Sequence, residues 1–151
     1  MIKVICVGKI KEKFYRYAIA EYLKRLSKYT KLEVIEVEDI DNQNPQISMS
    51  KEKDLILRHL NGKEYIITME IEGQKFNSVD LSQKLTKILS INPNIVFIIG
   101  GSNGLDLEIK KISNLKLSFS DLTFPHQLFR IMLLEQIYRC FKIINNESYH
   151  K

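Results

Sequence analysis

Short apolar runs alternate with longer amphipathic segments along this chain. Five of the runs have the length and composition of strands, and they cover residues 3–8, 32–38, 64–71, 94–100 and 116–120. The fourth run reads NIVFIIG and is apolar almost without a break. Such continuity is typical of a strand covered on both faces, as in a parallel sheet.

Between these runs, apolar residues recur every three or four positions, which predicts helices. The predicted helices cover residues 12–29, 48–60, 77–90, 105–112 and 125–144. Asn77 or Ser78 is suited to cap the third helix, and Pro125 is suited to the first turn of the fifth. The polar stretch 38–50 is the best candidate for a loop. Strands that alternate with helices predict an α/β fold with a mostly parallel sheet flanked by helices.

The fifth predicted helix carries its apolar residues on two different sides. At about 100° per residue, His126, Gln127 and Arg130 fall within one polar arc of its first half. The apolar residues first lie opposite this arc and then move round the helix; they are Leu128, Phe129, Met132 and Leu133, then Leu134, Ile137, Tyr138, Phe141 and Ile144. Such a helix needs more than one covering surface. We therefore expect a second subunit, most simply a two-fold copy, to cover part of it.

The composition is that of an ordinary globular protein. With 151 residues, 44% of them hydrophobic and 27% charged, the chain can bury one core and is predicted to form a single domain over residues 1–151. Cys6 and Cys140 lie in apolar surroundings and match no metal or redox spacing, which predicts reduced core residues. Because we find no signal-peptide pattern and no membrane-length apolar run, we expect a cytoplasmic protein with no membrane partner.

Positive charge is concentrated in one part of the chain. The formal net charge is +5, whereas residues 9–31 contain eight Lys and Arg residues against only Glu12 and Glu21. A solvated helix face accounts for this excess most simply. The alternative is a surface that attracts the phosphates of a nucleic acid.

The strongest local motif is VFIIGGSNGL, residues 96–105, in which a buried strand ends at paired glycines and a turn leads into a helix. Glycines at the carboxyl end of a strand allow a ligand to approach the backbone closely. The spacing matches neither a dinucleotide fingerprint nor a P-loop. A ligand-binding turn and a purely structural turn are therefore both open.

Two further polar groups lie near predicted strand ends. Strand alternation places Glu70 and Glu72 on one face of the third strand, and a solvent-facing pair near the sheet edge is the preferred interpretation. Ser120, Asp121 and Thr123 follow the fifth strand. We interpret these three as turn and capping residues.

Few titratable residues suggest chemistry. Glu135 and Arg139 are four apart on one helix, which favours an intrahelical ion pair. His59 is expected at the surface, and His126 begins a helix, where a structural hydrogen bond is the commoner role. No metal-ligand set and no Ser-His-Asp arrangement stands out. Local patterns thus indicate an α/β domain with a ligand site at the ends of strands three to five.

Three stretches together resemble a known family. They are FIIGGSNGL, LSFSDLTFPHQLFRIMLLEQIYRCFKI and the terminal ESYHK, and the opening residues 2–29 fit as well. They resemble the RlmH family of SPOUT-class methyltransferases, which methylate N3 of a pseudouridine in the 23S RNA of the bacterial large ribosomal subunit. The resemblance implies a deep trefoil knot near the C-terminus, a homodimer, and S-adenosylmethionine bound in the knotted loops.

The resemblance also implies which residues form the site. By position, the cofactor residues are Met69, Gly100, Phe119, Ser120, Asp121, Leu122, Thr123 and Phe124. The catalytic residues on the RNA side are Arg130, Glu135, Arg139, Tyr149 and His150. The two arginines are expected to bind phosphates or position the base, and the C-terminal tail to reach into the site across the dimer. Glu135 and His150 are both candidates for the proton acceptor. No metal is expected, because the methyl donor is already activated.

One segment departs from the family pattern. Residues 38–60, between the second and third predicted strands, are fewer than is usual in the family, which puts in doubt any ribosome contact made by the helix there. A different class of function also fits: a non-catalytic ribosome-binding or RNA-binding module on the same fold would equally account for the basic segment. A nucleotide-dependent oxidoreductase is disfavoured by the glycine spacing.

Overall fold

The computed structural model describes residues 1–151 and is built around a five-stranded parallel sheet. The strands are β1 (Ile2–Val7), β2 (Leu32–Val37), β3 (Tyr65–Lys75), β4 (Ile95–Ile99) and β5 (Leu115–Ser118). They are ordered β2-β1-β4-β3-β5, and every neighbouring pair is parallel. All five residues of β4 are buried, which confirms the prediction drawn from its unbroken apolar sequence.

Five helices flank the sheet. They are α1 (Lys13–Leu26), α2 (Pro45–Leu57), α3 (Ser78–Ile91), α4 (Leu107–Ile112) and α5 (His126–Ile144). The prediction of a loop over 38–50 was wrong in its second half, because α2 already begins at Pro45. The side chain of Asn44 accepts a hydrogen bond from the Gln46 backbone N–H at 3.0 Å, so Asn44 and Pro45 form a start signal for the helix. None of the helices is long and apolar enough to cross a membrane.

Alternate residues of each central strand point to opposite faces of the sheet and pack into two separate cores. On one face, Ile67 and Phe97 pack with apolar residues of α1, α3 and α5. On the other face, Ile66 and Ile98 pack with residues of α2 and α4. Both cysteines are free and buried, and burial raises the pKa of each thiol to about 12. The cysteines are therefore core residues, as predicted.

Elements of the same chain cover most of the apolar surface of helix α5. It packs against the sheet, against α1 and against α3. The movement of its apolar arc is thus largely explained without a second subunit. What remains uncovered is a stripe that begins at Leu128, which is 37% exposed, and continues through the half-buried Ile131 and Met132.

A buried arginine ties the start of α5 to the sheet. Arg130 is only 2% exposed, and its guanidinium donates to the carbonyl oxygens of Val7 at 3.1 Å and Gly8 at 2.7 Å. It also pairs with a carboxylate oxygen of Glu36 at 2.8 Å, and the same oxygen accepts from the Ile10 N–H. The expectation that Arg130 faces RNA phosphates does not fit this placement, since its side chain is turned inward although His126 of the same arc is exposed.

Replacing this arginine tests its structural role. In Arg130→Leu, three acceptors lose the guanidinium as a donor: the carbonyls of Val7 and Gly8 at the end of β1 and the Glu36 oxygen, which keeps the Ile10 N–H. We expect the free energy of unfolding to fall by about 2–4 kcal/mol, as measured by urea denaturation. The matched variant Arg58→Leu removes an exposed arginine and should change stability by less than about 0.5 kcal/mol. Equal effects of the two substitutions would contradict the assignment.

Candidate functional site

A cavity of about 360 Å³ opens at the carboxyl ends of β3, β4 and β5. Its size is that of a small-molecule site, and its position is where open α/β sheets bind ligands. Seven of the eight cofactor residues expected from the family resemblance line it: Met69, Gly100, Phe119, Ser120, Leu122, Thr123 and Phe124. The structure therefore brings together residues that lie up to 55 positions apart in the chain.

The eighth expected residue lies outside the cavity. The Asp121 side chain is 82% exposed and forms an ion pair with Lys75 at the end of β3. Ser120, its neighbour, turns the chain locally, because its hydroxyl accepts the Leu122 N–H at 3.0 Å. The interpretation of this segment as a turn is confirmed at Ser120, and the same turn forms one wall of the cavity.

The paired glycines after β4 form a second wall. The Gly104 N–H donates to the Gly101 carbonyl at 3.0 Å, and Gly104 has a φ of +83°. A Cβ atom at Gly100 would lie 2.9 Å from the backbone of Gly104. The turn is therefore tight for structural reasons, and it also leaves bare backbone on the cavity side. The glycine motif can therefore be both a structural turn and a ligand-binding turn.

A bulge in β3 forms the floor. Leu117 of β5 pairs with both Met69 and Gln74 of β3, so the residues between them leave the regular ladder. A Cβ atom at Gly73 would come within 2.8 Å of the β5 backbone. The close approach of the two strands thus requires glycine there and pushes the intervening residues toward the cavity.

The bulge corrects the interpretation of the two glutamates. Glu70 is buried, at 8% exposure, and accepts a hydrogen bond from the Thr68 hydroxyl at 2.9 Å. Only Glu72 is a surface residue. The pKa of Glu72 is lowered by a hydrogen bond from its own backbone N–H and by Lys110, whose amine lies 3.2 Å away. Both glutamates and Lys110 line the cavity; Gly73 after the acidic pair was the sequence signal for this arrangement.

Four of the five expected catalytic residues form one cluster. The predicted pair between Glu135 and Arg139 is present, and the Tyr149 hydroxyl donates to Glu135 at 3.0 Å. Arg139 lies over the Tyr149 ring at 4.7 Å and contacts His150 Nδ1 at 3.2 Å. Burial and the bond to Glu135 raise the pKa of Tyr149 to about 12, and the same carboxylate raises the pKa of Arg139. Arg130 is the one expected catalytic residue that lies outside this cluster.

The C-terminal tail is held on its own chain. The rings of Tyr138 and Tyr149 meet edge to face with centroids 5.0 Å apart. Glu147 accepts hydrogen bonds from Lys142 at 2.6 Å and from Tyr29 at 2.9 Å. These contacts dock the tail against α5 and the turn that follows α1, so the cluster forms without any residue of a second subunit.

The cluster faces a groove that adjoins the cavity. This groove, of about 760 Å³, is lined by Glu135 and His150 and shares Leu117, Ser118 and Phe119 with the cavity. The end of β5 is therefore the wall between the two spaces.

Other titratable residues are placed as follows. His126 lines the cavity, which the turn and capping rules alone did not indicate. His59 is exposed, as predicted. No group of three or more His, Cys, Asp or Glu side chains is close enough together to hold a metal ion.

Comparison with known proteins assigns this geometry to a family. A family model described as "Predicted SPOUT methyltransferase" matches residues 1–150. The "Ribosomal RNA large subunit methyltransferase H" of Caldicellulosiruptor saccharolyticus is 49% identical over 154 residues and covers 100% of both chains. The protein of the same name from Clostridium botulinum is 48% identical over 157 residues and covers 99% of both.

A solved structure agrees in fold. The tRNA (m1G37) methyltransferase from Aquifex aeolicus gives a TM-score of 0.53 at 18% identity, covering 91% of this chain and 69% of that one. At this identity the likeness concerns the fold alone. The chain belongs to the SPOUT methyltransferase family, as the family model and the full-length relatives show. It is therefore a methyltransferase, and the predicted resemblance is confirmed.

A bulky residue in the glycine wall tests the cavity. Gly100→Arg should abolish binding of S-adenosylhomocysteine, because the side chain would occupy the space beside Gly104. Isothermal titration calorimetry would measure the affinity, and the wild-type melting temperature should rise with this ligand but not with NAD or ATP. The control Ile91→Arg, at a residue 78% exposed, should bind normally. Unchanged affinity in Gly100→Arg would refute the assigned cavity.

Proposed function

We propose that this protein transfers a methyl group from S-adenosylmethionine to N3 of a pseudouridine in large-subunit ribosomal RNA. The observation that carries the proposal is a juxtaposition: the cavity and the cluster of Glu135, Arg139, Tyr149 and His150 lie on the two sides of the β5 end. Relatives that match over their full length bear the name of a large-subunit ribosomal RNA methyltransferase. A donor in the cavity and a base in the groove would meet at Phe119.

The residues of the cavity fit a nucleoside methyl donor. Apolar side chains such as Leu122 and Phe124 suit a purine ring, and the glycine turn presents backbone groups that can hydrogen-bond its edge. The donor supplies an electrophilic methyl group on a sulfonium. This chain's part is to hold the donor in one orientation and to keep water from the reacting atoms. The trefoil knot implied by the family resemblance stays a prediction, and it would give these loops the required rigidity.

The cluster is suited to stabilising a deprotonated base. Arg139 can only donate, so His150 Nδ1 accepts from it, and the neutral imidazole then carries its proton on Nε2. Glu135 already accepts bonds from Tyr149, Arg139 and Gln136. Neither expected proton acceptor is therefore free. This arrangement supports the alternative in which N3 gives its proton to solvent water in the open groove, and Arg139 and His150 donate to the imidate that forms.

The surface charge supports an RNA substrate. All eight basic residues of segment 9–31 are exposed, and half of them lie on helix α1, which packs against α5. Part of the positive charge is thus on an element that also supports the catalytic helix. We assign this surface to the RNA backbone, whose phosphates it would attract without reading sequence.

We further propose a homodimer. The uncovered stripe of Leu128, Ile131 and Met132 continues toward Glu135 on the same face of α5 and borders the open groove. A second copy packed there by two-fold symmetry would cover apolar surface and enclose the base in the groove. The tail need not cross to the partner, since it already reaches the cluster of its own chain.

Methyl transfer by the purified protein tests the reaction. The protein would be incubated with tritiated S-adenosylmethionine and, in separate reactions, with free RNA, ribosomal subunits and whole ribosomes. We expect tritium in the large-subunit RNA. Deletion of residues 149–151 should abolish transfer and leave cofactor affinity unchanged, because none of those residues lines the cavity. Full activity after deletion would remove the tail from the mechanism. An absence of label in every particle, with RNA still bound, would favour the non-catalytic binding module.

The oligomeric state is tested on the α5 stripe. Wild-type protein should have the mass of a dimer by multi-angle light scattering at micromolar concentration. Leu128→Asp would place a charge in the proposed interface and should shift the mass toward the monomer. The control Ile91→Asp, on the exposed side of α3, should stay dimeric. A wild-type monomer would refute the proposal.

A further inference from the structure

One buried carboxylate in the cavity has no partner for half of its hydrogen-bonding capacity. Glu70 lines the cavity and is 8% exposed. Its Oε1 accepts from the Thr68 hydroxyl at 2.9 Å, whereas Oε2 takes part in no hydrogen bond within the chain. Because this oxygen is unpaired within the chain but is not sealed from the cavity, it can accept a hydrogen bond from a ligand donor.

The carboxylate is held in place from behind. Thr68 is fully buried, and its hydroxyl lies 2.7 Å from the hydroxyl of Ser113. Because the bulge of β3 also fixes the backbone, the orientation of the Glu70 side chain is restricted and it does not rotate freely toward solvent. Such support is typical of a residue that selects a ligand.

The surroundings indicate which ligand group belongs there. The charged rim of the cavity, where Glu72 and Lys110 pair, matches the ammonium and carboxylate of an amino acid, which remain partly hydrated. A hydroxyl is neutral, so it can enter the mostly buried floor beside Glu70 at a much smaller desolvation cost than an ammonium. Acidic residues at the ends of parallel strands bind ribose hydroxyls in other α/β proteins.

We propose that Glu70 accepts hydrogen bonds from the ribose hydroxyls of the methyl donor and thereby selects ribonucleosides over deoxyribonucleosides. This inference rests on the proposed function, since it takes the cavity to be the donor site. It assigns to Glu70 a role in specificity that is separate from the transfer chemistry across β5.

The test compares ligands that differ only in the ribose. Affinities of S-adenosylhomocysteine and of its 2′-deoxy and 3′-deoxy analogues would be measured by calorimetry for wild type, Glu70→Gln, Glu70→Leu and the control Glu33→Gln, which alters an exposed glutamate on β2. The wild type and the control should lose about tenfold to a hundredfold in affinity with at least one deoxy analogue. Glu70→Leu should bind all three ligands nearly equally, and Glu70→Gln should fall between.

The outcomes separate the two proposals. If the wild type binds S-adenosylhomocysteine but Glu70→Leu keeps the full preference for ribose, the role of Glu70 is refuted and the proposed function stands. If the wild type binds none of the ligands, both are refuted. Because affinity ratios within one variant cancel any general loss of stability, a folded fraction of Glu70→Leu or Glu70→Gln is enough to decide.

Discussion

The site depends on the way β5 pairs with β3. β5 is only four residues long, yet Leu117 is matched to two residues of β3 that are five positions apart. The excess length of β3 leaves the ladder, and glycine at position 73 is what lets the two backbones approach each other there. Glu70 lies on the same face of β3 as the buried Ile66 and Thr68, and the mismatch that follows it opens the floor of the cavity.

The second constraint is the anchor at the start of α5. The chain leaves β5, forms the turn at Ser120 and enters the helix, and Arg130 then fastens that helix to the end of β1 through Val7 and Gly8. The turn is therefore fixed at both ends: by strand pairing before it and by a buried guanidinium after it. The loop residues that form the cavity wall are therefore positioned as precisely as the elements that hold them.

Most elements of this fold were predictable because their signals are local. Apolar runs and helical periodicity are properties of neighbouring residues, and the strands and helices lie close to where these patterns place them. The misplaced start of α2 was a local signal that was overlooked, namely Asn44 before Pro45. The burial of Glu70 and of Arg130 was of another kind, since it depends on which elements cover that face of β3 and on which face of α5 meets β1. Neither is encoded in the spacing of nearby residues.

The cofactor residues show the same division. Local rules interpreted Ser120 and Thr123 as turn residues, and only the resemblance to a family connected them with Met69 and Gly100 in one cavity. Only part of the cluster on the other side of β5 was predictable from local sequence, because the pair of Glu135 and Arg139 follows from helical spacing. The addition of Tyr149 and His150 required the tail to fold back over α1 and α5, through contacts that span more than a hundred residues.

The charge balance of the cluster suits a reaction beside a cationic donor. An unpaired arginine in the groove would repel a positively charged methyl donor across the thin wall of β5. Glu135 cancels most of that charge, and its two bonds and the bond to His150 leave two of the five N–H groups of Arg139 available as directed donors. The pair can thus stabilise negative charge on a nearby base without raising the cost of holding a cation in the cavity. In the proposed reaction, the charges of donor and imidate disappear together, so a site that is itself nearly neutral avoids binding the separated charges too tightly.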